Sequence, residues 1–161
     1  MGKSDPQDPV GDRLAAAVEI AGSAGHVALD YFARRETLSI GRKSALQDLV
    51  SEADRHVEQR IRDAIAARFP ADGMIGEELG AGAGTSGYVW VIDPIDGTSP
   101  FLSGQPNWCV SIAVADAGAV LAGVVHAPVP GETYTARRGQ GAWLGARRLL
   151  LDPAGTVTAA H

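Results

Sequence analysis

Apolar positions recur at intervals of three and four through Leu14, Val18, Ala21, Gly25, Leu29 and Phe32. That period predicts one long helix over residues 10–35. The small residues Ala21, Ala24, Gly25 and Ala28 on the stripe admit close packing, and His26 within it reads as a packing or partner-bonded side chain. Residues 37–40 read as a short strand. A second run with period four, Val57, Ile61, Ile65 and Phe69, predicts a second helix that Pro70 stops. Ser51 with Asp54 three residues on resembles a capping box at the start of that helix, with Asp where Glu or Gln is usual.

Beyond Pro70 the pattern changes to that of strands. Asp72-Gly73 is a turn, and Met74-Ile75 a short strand. Tyr88 opens a strand that includes Val91 and Ile92. Residues 108–116 and 120–126 form a hairpin through Ala117-Gly118, and Glu132–Arg137 follows. Residues 142–150 are broken at Gly145. The glycine-rich stretch 80–87 reads as a mobile loop. It contains a formal G-x-G-x-x-G, but Gly87 leads into a strand, and the dinucleotide fingerprint must open a helix. Two helices followed by several mainly antiparallel strands predict an α+β domain with helices over one face of a sheet.

The 161 residues suffice for one domain with a sizeable core. Residues 1–9, polar and proline-containing, read as a disordered start, and residues 10–161 as the domain. The net charge of −5, with no basic run, predicts no nucleic-acid partner. No stretch approaches the roughly 18 apolar residues of a membrane span, and the start has no apolar signal core. Cys109 is the only cysteine, so no intrachain disulfide can form, which fits a reducing cytoplasm. It reads as a core residue, and Arg137-Arg138 as an exposed basic pair.

Candidate chemistry concentrates in residues 90–101. An apolar strand ends in Asp93 and Asp96, separated by Pro94 and Ile95, with Gly97-Thr98 at the mouth of a short helical turn. Two carboxylates so placed can share a hard cation such as Mg²⁺, which prefers oxygen ligands. Backbone amides at a helix start can hold a phosphate. Taken alone, a turn with capping side chains accounts for the stretch equally well. Glu77-Glu78 at the end of the short strand reads either as a wet turn or as another piece of a metal site.

Three segments, residues 48–54 (DLVSEAD), 75–78 (IGEE) and 90–98 (WVIDPIDGT), together with residues 134–142 (YTARRGQGA), resemble the inositol monophosphatase family of Mg²⁺-dependent phosphatases. The resemblance covers residues 10–150 and implies the first half of that family's α/β sandwich. It implies that Glu77, Asp93 and the Ile95 carbonyl bind one Mg²⁺, that Asp93 and Asp96 contribute to a second, and that Glu77 touches a third. Gly97 and Thr98 would hold the phosphate through their amides. Thr98 and Asp54 would orient and deprotonate the attacking water, Lys43 would act electrostatically at the phosphate edge, and Glu78 would stand behind the ligands. The implied substrate is a small phosphorylated metabolite, with inositol phosphate, histidinol phosphate, a sugar bisphosphate and a nucleotide 3′-phosphate all open.

Two departures qualify the resemblance. Pro100 stands where the family usually has Asn, so local hydrogen bonding must differ. The family's second half, with a further metal-binding aspartate, has no counterpart here. The expected consequences are weakened second-metal binding and an uncovered apolar sheet face that favours a homodimer. The alternative reading is a non-catalytic metal- or phosphate-binding remnant.

Overall fold

Two helices lie against one face of an eight-stranded sheet. The computed structural model describes residues 8–38 and 43–150, apart from the side chains of residues 36–38 and 43–45. Helix α1 spans Pro9–Leu38 and α2 spans Lys43–Arg68. Asp8, inside the stretch expected to be disordered, is tied down. Its carboxylate accepts the Gly11 amide at 3.1 Å and pairs with both terminal nitrogens of Arg137 at 2.5 and 2.6 Å.

Helix α2 starts well before Ser51, because Val50 and Ala53 extend the buried row of Val57, Ile61 and Ile65 backwards. Ser51 and Asp54 are therefore mid-helix. No orphan amides await a cap there, and the capping-box reading fails. The strand expected at 37–40 is likewise overturned where it can be seen: residues 37 and 38 continue α1, and 39–40 lie outside the described residues. On α1 the buried row centres on Ala17, Ala21, Ala24 and Ala28, which leaves His26 exposed rather than packed. Close approach is literal at Gly25, where a Cβ would stand 2.5 Å from the His126 ring.

The strands are β1 (Gly73–Gly76), β2 (Gly80–Gly82), β3 (Tyr88–Asp96), β4 (Cys109–Asp116), β5 (Ala119–Ala127), β6 (Glu132–Arg137), β7 (Gly141–Leu144) and β8 (Arg147–Leu149), with the short helix α3 (Thr98–Ser103) between β3 and β4. Their order is β2-β1-β3-β4-β5-β6-β7-β8; β1 and β3 run parallel and every other neighbouring pair is antiparallel. Ala117 and Gly118 both have positive φ (47° and 80°), the two left-handed residues of a tight hairpin whose twist matches its strands.

The glycine-rich stretch is more ordered than its composition suggests. Gly80–Gly82 pairs with β1, and the Thr85 and Ser86 amides donate to the Ala71 carbonyl at 2.7 and 3.0 Å.

Trp90, Ile92, Val110, Ile112, Val114 and Val124 point from the sheet into the helices. Each fully buried Ile or Val there is worth roughly 1.5–3 kcal/mol. At one end of this core Asp72, read from sequence as a turn residue, is a buried hub. It accepts from Arg13 Nε and Nη2 (2.7 and 2.8 Å), Ser86 Oγ (2.6 Å) and Trp90 Nε1 (2.8 Å). The Arg13 guanidinium lies over the Tyr88 ring at 3.8 Å. Burial alone would raise the Asp72 carboxyl, but these donors together hold it below its ordinary value. Among the described residues no helix is long and apolar enough to cross a membrane.

Candidate active site

The one parallel pair in the sheet brings two acidic segments together. Gly76, the last residue of β1, is in register with Ile92 of β3, so the next residues, Glu77 and Asp93, emerge side by side. On the other flank of β3 the register slips. Asp93 faces Ser111 and Asp96 faces Cys109, so three steps along β3 match two along β4. The extra residue is a bulge at Pro94-Ile95, a position where a proline costs no ladder bond. Ser111 and Cys109 lie on one side of β4, and their partners Asp93 and Asp96 therefore lie on one side of the sheet. A regular strand would put them on opposite faces.

Asp54 comes from the middle of α2, is 8% exposed, and meets the same acidic group. Burial, followed by the charges of Glu78, Glu77, Asp93 and Glu58, pushes its carboxyl up to about 7. Burial, then the charges of Glu77 and Asp96, pushes Asp93 up to about 6, partly opposed by the Ile95 amide. The largest side-chain charges acting on these two groups are negative. Asp93 Oδ1 is also a buried oxygen without a hydrogen-bond partner among the described residues. A buried lone pair facing converging negative charge requires a donor or a cation. Oxygen donors of this kind fit a hard divalent ion. Among the described residues, no three acidic, histidine or cysteine side chains are gathered into a closed ligand set.

Gly97 follows at φ 96°, at the N-cap of α3, and no side chain caps that end. A Cβ at Gly97 would stand 2.8 Å from the Asn107 carbonyl, so glycine is required twice over. Thr98 is the first residue of α3 and is exposed. Pro100 occupies the first turn, where the helix needs no N–H from it. Its carbonyl accepts the Gln105 amide at 2.9 Å, and its ring leaves the amides of Thr98 and Ser99 as that turn's donors. Beside Asp96 and Gly97 opens a cleft of about 310 Å³ walled by Trp108, Cys109, Glu132 and Tyr134. Cys109 is thus a wall residue rather than a core one. Its thiol lies 3.7 Å from Asp96 Oδ2, and burial with that neighbouring charge pushes it up to about 11.

The structure thus brings Asp54, Glu77, Asp93 and Asp96 into one electrostatic neighbourhood, with Ile95, Gly97 and Thr98 adjoining along the chain. Lys43 begins α2, but its side chain lies outside the described residues. Glu78 points toward Arg55 at 3.8 Å. Sequence reasoning missed Glu58, whose carboxylate is wholly buried below this site. Its spacing carried the signal: Asp54, Glu58, Ile61 and Ile65 fall on one face of α2.

Two helices on a mixed, mainly antiparallel sheet, with acidic residues gathered where its parallel pair ends, define the class of fold and site. The chain belongs to the inositol monophosphatase family, whose model matches residues 11–160. It is 44% identical over 131 residues to a histidinol-phosphatase of Chlorobaculum parvum, spanning 81% of this chain and 50% of that protein. It is 41% identical over 143 residues to the Nus factor SuhB of Pseudomonas aeruginosa, spanning 86% of this chain and 52% of that protein. Among solved structures, the extragenic suppressor protein SuhB of Bartonella henselae superposes with a TM-score of 0.74 at 33% identity, over 85% of this chain and 52% of that one. The chain spans about half the length of the relatives it matches, and its fold is the first half of the family's sandwich.

Proposed function

We propose that this chain carries the metal- and phosphate-binding part of a Mg²⁺-dependent phosphatase acting on a small phosphate monoester. The observation that carries the reading is the buried Asp93 Oδ1, without a hydrogen-bond partner among the described residues and facing the charges of Glu77 and Asp96. Glu77, Asp93, Asp96 and the Ile95 carbonyl would hold the metal. Bound Mg²⁺ supplies charge neutralisation for a dianionic phosphate and a more acidic water. Mutual repulsion favours a splayed set of carboxylates, and closure would accompany ion binding.

The chain's own groups divide the remaining work. The Gly97 and Thr98 amides bind the phosphate where α3 begins. Asp54, buried beside the metal ligands, accepts a proton, and the Thr98 hydroxyl orients the water that gives it up. Lys43 adds positive charge at the phosphate edge. The cleft beside Asp96 takes the alcohol part of the ester. A cytoplasmic setting suits the single thiol.

A second reading is a non-catalytic metal- or phosphate-binding chain; one relative is named a Nus factor rather than a phosphatase. A homodimer through the outer sheet face, where Val91 and Val125 are 42% and 39% exposed, is compatible with either. Phosphate release from inositol 1-phosphate and histidinol phosphate, with and without Mg²⁺, separates the two readings. Mg²⁺-dependent turnover lost in Asp93→Asn supports the phosphatase; metal binding without turnover supports the binder.

A further inference from the structure

Glu58 is 0% exposed, yet it is a carboxylate. It sits one helical turn after Asp54 on α2, and its two oxygens are committed to other elements. Oε2 accepts the backbone amide of Glu78 at 2.8 Å, and Oε1 accepts that of Leu79 at 3.2 Å and Arg62 Nε at 2.7 Å. Arg62 in turn donates to the Gly80 carbonyl. Two consecutive amides immediately after Glu77 are thus held by one buried charge anchored through Arg62. The space for that carboxylate exists because residue 76 is glycine: a Cβ there would stand 1.9 Å from Glu58 Oε1.

A buried carboxylate is expensive to desolvate and is tolerated only when paired and hydrogen-bonded. An apolar side chain at residue 58 would continue the buried face of Val57, Ile61 and Ile65 at lower cost. The geometry shows what the charge does instead. The turn after β1 has no side chain of its own packed in the core, since Glu77, Glu78 and Leu79 are all exposed. The Gly76–Gly80 pairing closes the turn, and Glu58 is the side chain that holds its amides.

We propose that Glu58, set on Arg62 and admitted by Gly76, is a positioning residue: it holds the turn after β1 so that Glu77 is presented to Asp93. The proposal rests on the reading of Glu77 and Asp93 as metal ligands. Outer partners of this kind typically change metal affinity by about 10- to 100-fold.

The test is Mn²⁺ binding by the full chain, followed by electron paramagnetic resonance, with amide hydrogen exchange read at Glu78 and Leu79. Glu58→Gln keeps volume but offers a donor where an acceptor is needed, and Gly76→Ala displaces the same carboxylate from the other side. Each is expected to weaken Mn²⁺ binding by about 10- to 100-fold and to expose both amides to exchange. The double variant is expected to be no worse than the weaker single one, because both act through one contact. Asp72→Asn, which breaks an equally buried carboxylate away from the site, should lower the melting temperature and leave Mn²⁺ affinity unchanged. Should Glu58→Gln fail to fold, Arg62→Gln, which frees the carboxylate from its anchor, should move affinity in the same direction. Equal Mn²⁺ affinity in wild type and Glu58→Gln, or an equal loss in Asp72→Asn, overturns the positioning role alone. No Mn²⁺ binding by the wild type overturns the phosphatase reading and this inference with it.

Discussion

Asp93 and Asp96 lie on the same side of the sheet although they are three residues apart on one strand. The bulge at Pro94-Ile95 makes this so, and it places both carboxylates beside the residue that leaves the parallel neighbour, Glu77. The site therefore depends on a register slip as much as on residue identity. Deleting one of the two intervening residues should leave the aspartates on one face of a now regular strand. Inserting one beside the bulge, so that four steps along β3 match three along β4, should put them on opposite faces and abolish Mg²⁺-dependent stabilisation. Melting with and without Mg²⁺ reads the outcome.

The metal-free protein should lose stability as pH rises through neutrality. Burial and like charge lift Asp54 to about 7 and Asp93 to about 6, above an ordinary 3.8. Between these limits the folded chain holds protons that the unfolded chain has released, so this contribution is fully present below about pH 4 and is lost as pH climbs through 6 and 7. Asp72, whose carboxyl is lowered, acts in the opposite direction in the acid range below its ordinary value. His126, whose imidazole burial holds below its ordinary 6.5, offsets part of the fall as pH rises toward that value. Melts in a chelator from pH 5 to 8 should therefore fall steadily, and saturating Mg²⁺ should flatten the fall. A melting temperature that rises over this range would contradict the raised values.

Asp54→Asn should leave Mg²⁺ binding largely intact while lowering turnover by about 10²- to 10⁴-fold, the usual scale for a lost general base. It should also stabilise the metal-free protein near pH 8 by removing a buried charge among carboxylates. Parallel kinetics and melts separate the two effects.

Gly97→Ala should destabilise the chain by at least about 1–2 kcal/mol, since a side chain at φ 96° is strained and its Cβ meets the Asn107 carbonyl. Phosphate affinity should fall with it, because the distortion falls where α3 begins. Denaturant unfolding measures the first, and phosphate titration the second.

Arg13→Met should cost about 3–5 kcal/mol, because it leaves Asp72 buried without its ion-pair partner. Mg²⁺ affinity should be unchanged. A chemical denaturation curve gives the loss directly.

Much of this was legible in the sequence because chain order and spacing carry it. The Val57-Ile61-Ile65 row announced α2, and the alternation in residues 108–126 announced the β4–β5 hairpin. The order of Glu77, Asp93, Asp96 and Gly97-Thr98 announced where acidic residues gather at the start of α3. What was not legible depended on partners distant in sequence. Asp72 reads as a turn residue until Arg13 and Trp90 close on it. Glu58 shares the buried face of α2 with Ile61 and Ile65, but its partners appear only when the turn after β1 folds onto it. The start of α2 was misplaced because a local Ser-x-x-Asp resembled a cap, whereas the burial of Val50 and Ala53 extended the helix backwards. The order within the glycine-rich stretch came from pairing with β1 and from the Ala71 carbonyl, neither of which composition reveals.

The most direct test of the central claim is isothermal titration of Mg²⁺ into the wild-type chain and into Asp93→Asn at pH 7.5. Saturable binding by the wild type that disappears in Asp93→Asn is the expected result. Equal binding by both, or none by the wild type, would contradict the assignment of Asp93 and its neighbours as the metal site.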